Sequence, residues 1–129
     1  MKASTKLALA FAVSVILFLN AAYASSAVTL ESPNPQHDGF FGQSVAISGT
    51  TAVVGAPGEA VGGQAHAGNA YTFDDTTGTP IATLTSPYAL ANGEFGTSVA
   101  VSECDPTVVV GALGETATGQ VQAGHAYIF

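Results

Sequence analysis

The side chains that could do chemistry in this 129-residue chain are nine acids and three histidines. His37, His66 and His125 do not follow metal-ligand spacing, no serine stands in a Gly-x-Ser-x-Gly turn, and no glycine-rich phosphate loop is followed by a lysine. A glycosidase pair stays open as an alternative, because any two of the acids could meet in the fold. The sequence predicts a protein that is not an enzyme, with no catalytic residue, metal ligand or cofactor.

A tandem repeat must position these side chains. Residues 29–48 and 83–102 are identical at 11 of 20 positions, and residues 53–73 and 109–129 at 13 of 21. The offset between the copies grows from 54 to 56 residues at Glu103–Pro106. A length difference confined to one place marks a loop.

Short strands joined by turns are predicted throughout the repeat. The first unit has candidate strands at residues 27–31, 43–48, 51–56, 68–73 and 81–85, and the last of these begins the second unit. Four strands in a period of about 54 residues, with many small residues, are typical of propeller blades. We expect the repeated aromatic residues to fill the core. They are Phe41, Tyr71, Phe73, Phe95, Tyr127 and Phe129.

Polar residues concentrate in the loops that a four-stranded meander sends to one end. Two interpretations are open: a weak binding surface on a rigid sheet, or ordinary turn chemistry, as in Asp38-Gly39 and Asn92-Gly93. Glu59 and Glu115 occupy equal repeat positions, which indicates a structural need of every unit rather than one active site. The candidate binding residues are His37, Asp38, Glu59, His66, Asn92, Glu94 and Glu115.

Phe41-Gly42 followed by Gly55-Ala56-Pro57 resembles the FG-GAP repeat, the blade unit of integrin-type β-propellers and of many secreted microbial proteins. The second copy has Phe95-Gly96 and Gly111-Ala112-Leu113, with leucine in place of the proline. The resemblance covers nearly all of the chain after residue 28, and it implies all-β blades.

Calcium-binding members of that family carry an Asp-x-Asp-x-Asp-Gly loop between the two motifs. Here the loop is Gly49-Thr50 in the first copy and Glu103–Pro106 in the second. Neither loop supplies the six or more oxygen ligands that Ca²⁺ takes. The resemblance therefore implies the calcium-free branch of the family.

The N-terminus has the pattern of a secretory signal peptide. Lys2 and Lys6 precede an apolar stretch at residues 7–19, and Ala22-Tyr23-Ala24 is a small-x-small site. We expect cleavage between Ala24 and Ser25 and a secreted, cell-surface or envelope location. An uncleaved anchor is the alternative, but the stretch is shorter than the roughly 20 residues that span a bilayer.

Charge narrows the choice of partners. Lys2 and Lys6 are the only basic residues, so cleavage changes the formal charge from −7 to −9. A surface without cations cannot make the phosphate contacts on which nucleic-acid affinity rests, and we expect no membrane insertion after cleavage. Cys104 is the only cysteine, which excludes a disulfide within one chain.

These observations predict a signal peptide at residues 1–24 and two tandem units at about 29–82 and 83–129, forming two four-stranded blades. The predicted function is an exported interaction or structural module for an extracellular protein or glycan. The alternative is a fragment of a larger propeller enzyme or carbohydrate-acting protein. Because propellers have about four to eight blades, we also expect several copies to complete a ring, each offering residues 27–31 to its neighbour.

Overall fold

The computed structural model describes residues 26–103, 105 and 107–129. Seven strands form two antiparallel sheets, which confirms the predicted all-β fold. The expected signal peptide, its cleavage site and Cys104 lie outside the described residues. No helix in the described part of the chain is long and apolar enough to cross a membrane.

The two sheets are consecutive meanders, which we call the first and second blades. The first blade has four strands in chain order: β1 (Ser44–Ser48), β2 (Thr51–Ala56), β3 (Asn69–Asp74) and β4 (Pro80–Thr85). The second blade has β5 (Phe95–Val101), β6 (Val108–Ala112) and β7 (His125–Ile128). The second blade thus has three strands among the described residues, where four were predicted. The expected repeat boundary at residue 82 falls inside β4.

Residues 27–31 are not a strand, and this prediction was wrong. A strand needs a partner edge for its backbone groups, and the fourth position of the first blade is taken by β4. The segment instead passes beside the turn at Gly78, and Leu30 packs against the apolar cluster of the first blade. Leu84, at the equal repeat position, packs against the cluster that holds the second blade's aromatic residues.

The two blades pack face to face. Val53 and Ala70 of the first blade share a buried cluster with Phe95, Val110 and Ala112 of the second. All five side chains are buried. The continuous small and β-branched run of β2 is buried from Ala52 to Ala56, as its sequence predicts for a strand covered on both faces.

The Phe95–Gly96 segment, at the irregular start of β5, packs against the first blade. Ser44 Oγ donates a hydrogen bond to Gly96 O (2.7 Å). A Cβ atom added to Gly55 would lie 1.9 Å from the same oxygen. A glycine on β2 is therefore required for the close approach of the two blades.

The aromatic residues form the same cluster in each blade. The Phe41 ring lies 6.0 Å from Tyr71 and 5.9 Å from Phe73, centroid to centroid. The Phe95 ring lies 5.7 Å from Tyr127 and 5.9 Å from Phe129 in the second blade. Tyr71, Phe73 and Phe95 are buried as predicted, whereas Phe129 is 44% exposed.

Candidate functional site

The loops that were expected at one end of the blades do meet there. Gly58 N donates to Gly39 O (3.1 Å) within the first blade. Glu94 N, in the loop before the second blade, donates to His66 O of the first (2.9 Å). These backbone bonds join the loops into one surface, which we call the loop end.

Left-handed backbone conformations recur at the loop end. Asp38 (φ 55°) and Asn92 (φ 60°) occupy equal repeat positions, as do Phe40 and Glu94 (both φ 54°), and His66 has φ 53°. Such angles are uncommon for residues other than glycine and persist where neighbouring structure imposes them. The loop end is therefore held in a defined shape.

Glu59 lies beneath this surface. It is 0% exposed, and it accepts hydrogen bonds from Ser32 Oγ (2.5 Å), Asn69 Nδ2 (2.7 Å) and the Tyr71 hydroxyl. Burial, and then the hydrogen bond to Glu59, raises the pKa of Tyr71 to about 12. Glu59 was a candidate binding residue, but the carboxylate is enclosed by its own blade.

Glu115 is enclosed in the same way in the second blade. It is 0% exposed, and Oε2 accepts hydrogen bonds from His125 Nδ1 (2.9 Å) and from the Tyr127 hydroxyl. Ser86 Oγ donates to the same hydroxyl (3.2 Å). Burial, and then the hydrogen bond to Glu115, raises the pKa of Tyr127. The carboxylate is thus part of the blade, not of the loop surface.

The two carboxylates differ in how they are satisfied. Both oxygens of Glu59 accept hydrogen bonds, whereas Oε1 of Glu115 is buried without a partner among the described residues. Ser32 reaches its glutamate directly, but Ser86 bonds to Tyr127 instead. Each network leaves one buried oxygen without a partner among the described residues, Asn69 Oδ1 in the first blade and Oε1 of Glu115 in the second. The two networks are therefore equivalent in position but differ in which atom is unsatisfied.

The other candidate residues reach the surface. His37 and Asp38 are exposed and form a pair, with 2.8 Å between Nδ1 and Oδ2. Asn92 is exposed, while His66 and Glu94 are half-buried. The five residues divide into an exposed rim and a pair that lines a cleft.

That cleft lies at the loop end and has a volume of about 120 Å³. Its lining residues are Phe40, Gln43, Pro57, Gly58, His66 and Glu94. Sequence reasoning missed Phe40, which is 56% exposed, and Gln43. The repeat carried a signal for Phe40, because the equal position in the second unit is Glu94 and a core position would not alternate between phenylalanine and glutamate.

No three His, Cys, Asp or Glu side chains come together in the described ranges where they could hold a metal ion. The turn between β1 and β2 is the two-residue Gly49-Thr50. Asp74, near the other end of the first blade, has Oδ1 occupied by the amides of Thr76 (3.0 Å) and Thr77 (2.8 Å). Those hydrogen bonds, the one from Thr77 N first, lower the pKa of Asp74.

Two meanders that pack face to face and share one set of repeated loops define a propeller-type repeat protein. The family model of the FG-GAP repeat matches residues 27–73 and 79–129. The chain belongs to the FG-GAP repeat family. No curated protein matches it.

Proposed function

We propose that this FG-GAP chain is an exported, non-catalytic interaction module, and that the cleft at its loop end holds a glycan. The observation that carries the proposal is the exposed ring of Phe40 beside Gln43, His66 and Glu94. Export is supported by the basic, apolar and small-residue pattern of residues 1–24.

The chemistry of the cleft fits a sugar ring. An exposed aromatic face packs against the apolar face of a pyranose, and an amide, an imidazole and a carboxylate offer hydrogen-bond partners for its hydroxyl groups. Because the backbone of Phe40, His66 and Glu94 is fixed by neighbouring loops, little conformational entropy is lost on binding.

The buried carboxylates favour binding over catalysis. Glu59 and Glu115 are the most enclosed acids, and each is occupied by side chains of its own blade. A general acid or nucleophile must reach the substrate. Both residues therefore support a structural role.

A glycan array probed with the purified protein and with Phe40→Ala tests the proposal. We expect selective binding by the parent chain and a loss of about tenfold or more in affinity for the variant, since aromatic anchors dominate such sites. Tyr88→Ala is the matched control, because Tyr88 is 67% exposed outside the cleft. Absence of glycan binding, or equal losses in both variants, would contradict the proposal.

A further inference from the structure

One face of the first blade packs against the second blade. The outer face of the second blade has similar residues at the equal repeat positions. In the first blade this face is covered, and Thr72 is 7% exposed and Ala70 0%. In the second blade Ile128 is 74% exposed and Ala126 is also exposed. The equal positions are Ser44 and Ser98, Gly55 and Gly111, Ala70 and Ala126, and Thr72 and Ile128.

A groove of about 430 Å³ lies on this outer face, lined in part by Ser98, Gly111 and Ala126. We call it the receiving groove. In the first blade the equal residues Ser44 and Gly55 contact the Phe95–Gly96 segment at the start of β5. The groove thus has the residues that bind such a segment.

A matching Phe-Gly segment lies on the first blade, and no described residue packs on its glycine. Gly42 has φ +93° and Gly96 has φ +95°, so the glycines of the two Phe-Gly segments share the same positive φ. A Cβ atom on Gly42 would meet nothing within 4 Å, whereas one on Gly96 would lie 2.3 Å from Asn69 O. Within the described part of the chain, Phe41–Gly42 is therefore a copy of the segment that joins the blades, but with nothing packed on its glycine.

The strand edges match as well. β4 pairs with β3 in the register Ala70 to Leu84 and Thr72 to Ala82. The repeat offsets carry this register to Leu30 opposite Ala126 and Val28 opposite Ile128. Residues 27–31 have no strand partner, and the outer edge of β7 pairs with no strand of the described chain.

We propose that a second copy of this chain docks on the second blade. Its Phe41–Gly42 turn enters the receiving groove, where Ser98 Oγ donates to Gly42 O. Its residues 27–31 become the fourth strand beside β7. This head-to-tail interface has the same residue pairs as the contact between the two blades of a single chain. That contact therefore sets its register and shape.

Exposed apolar residues on β1 of the first blade support a second copy as the partner. Val45 and Ile47 on β1 are 70% and 65% exposed. Val99 and Val101, at the equal positions of β5, pack against the cluster between the blades. In the proposed assembly the second blade of one copy covers Val45 and Ile47 of the other in the same way. Contiguous exposed apolar residues often mark a surface where a partner packs.

Light scattering of the parent chain and of Gly111→Ala tests the docked turn. The product purified after expression of the full 129-residue chain is used. A Cβ on Gly111 lies 2.4 Å from Ser98 Oγ, an atom of a side chain that can rotate, so we expect the variant to fold. The added Cβ atom also occupies the position that the carbonyl oxygen of the incoming Gly42 would take. We expect the parent to assemble and Gly111→Ala to weaken assembly by about tenfold or more.

Ile128→Thr is the matched control, because threonine stands at the equal position in the covered face of the first blade. It is expected to keep assembly. A parent chain that stays a folded monomer at every concentration overturns the proposal and leaves a further blade of a longer chain as the occupant. Equal assembly of the parent and Gly111→Ala overturns it too.

Cysteine cross-linking tests the strand register in a Cys104→Ser background. Val28→Cys with Ile128→Cys is expected to form disulfides between chains on mild oxidation, because the register sets these residues opposite each other. Within one chain, Val28 lies beside Gly78 of the first blade, whereas Ile128 is exposed on the second blade. Thr29→Cys with Ile128→Cys is the control, since neighbouring residues of a strand point to opposite faces. Equal cross-linking of the two pairs, or none, overturns the register.

Discussion

The hydroxyl group of Tyr71 donates a hydrogen bond to Oε2 of Glu59 in the interior of the first blade, where the two side chains are 1% and 0% exposed. The same pair recurs as Tyr127 and Glu115 in the second blade. Each pair links β3 or β7 to the loop that precedes it, so the carboxylate fixes the path of that loop.

Alkaline pH is expected to destabilise the fold through Tyr71. Below the ordinary tyrosine pKa of 10.0 the hydroxyl is protonated in both states, so its contribution is complete. Between pH 10 and about 12 the unfolded chain loses the proton while the folded chain keeps it. The free energy of unfolding should fall across this window, by up to roughly 2 kcal/mol.

Urea unfolding at several pH values from 8 to 11.5 measures this effect. Tyr71→Phe should flatten the alkaline slope, while the exposed Tyr88→Phe should leave it unchanged. A slope that is the same in both variants would contradict the assignment to Tyr71.

Replacing the buried glutamates by glutamine is expected to have unequal effects. Glu59→Gln turns an amide donor toward the donors that now bond to the carboxylate, at a cost of about 1–3 kcal/mol. Glu115→Gln should cost less, because its NH₂ group can take the place of the unpartnered Oε1. Chemical denaturation gives both values, and Glu94→Gln on the half-buried cleft is the control. A larger loss for Glu115→Gln than for Glu59→Gln would be the contrary result.

Salt is expected to strengthen self-association. Residues 25–129 carry a formal charge of −9 with no Lys or Arg, while most residues of the proposed interface are uncharged. Screening over about 10 Å at 0.1 M salt and about 3 Å at 1 M reduces the repulsion between copies. The apparent mass by light scattering should rise across a sodium chloride series. A fall in apparent mass as salt is added would contradict this prediction.

Calcium is expected to leave the melting temperature unchanged. The Gly49-Thr50 turn offers too few oxygen ligands, and Asp74 Oδ1 already accepts hydrogen bonds from Thr76 N and Thr77 N. Thermal melts with millimolar Ca²⁺ and with a chelator measure this. A shift of several degrees would indicate a site at Asp74 and Asp75.

The repeat predicted most of the fold, because the β1 to β4 positions are marked by turns and alternating residues at fixed offsets. It could not place residues 27–31, because pairing depends on an edge that another part of the molecule supplies. The equal repeat positions of Glu59 and Glu115 indicated a structural need of every unit, but the sequence did not show that both carboxylates are buried. The two carboxylates accept hydrogen bonds from Tyr71 on β3 and Tyr127 on β7. No local sequence pattern indicates these contacts. The cleft was missed because Phe40 stands beside the core residue Phe41.

The second blade covers one face of the first blade, and its own outer face carries the equal residues and is exposed. A gene that duplicates the 54 to 56 residues of one unit would therefore gain a blade without redesigning the rest, because the new Phe-Gly turn meets a serine and a glycine already in place. Growth by copying is then limited by ring closure rather than by packing. In such a lineage the number of blades can change by the copying of a single unit.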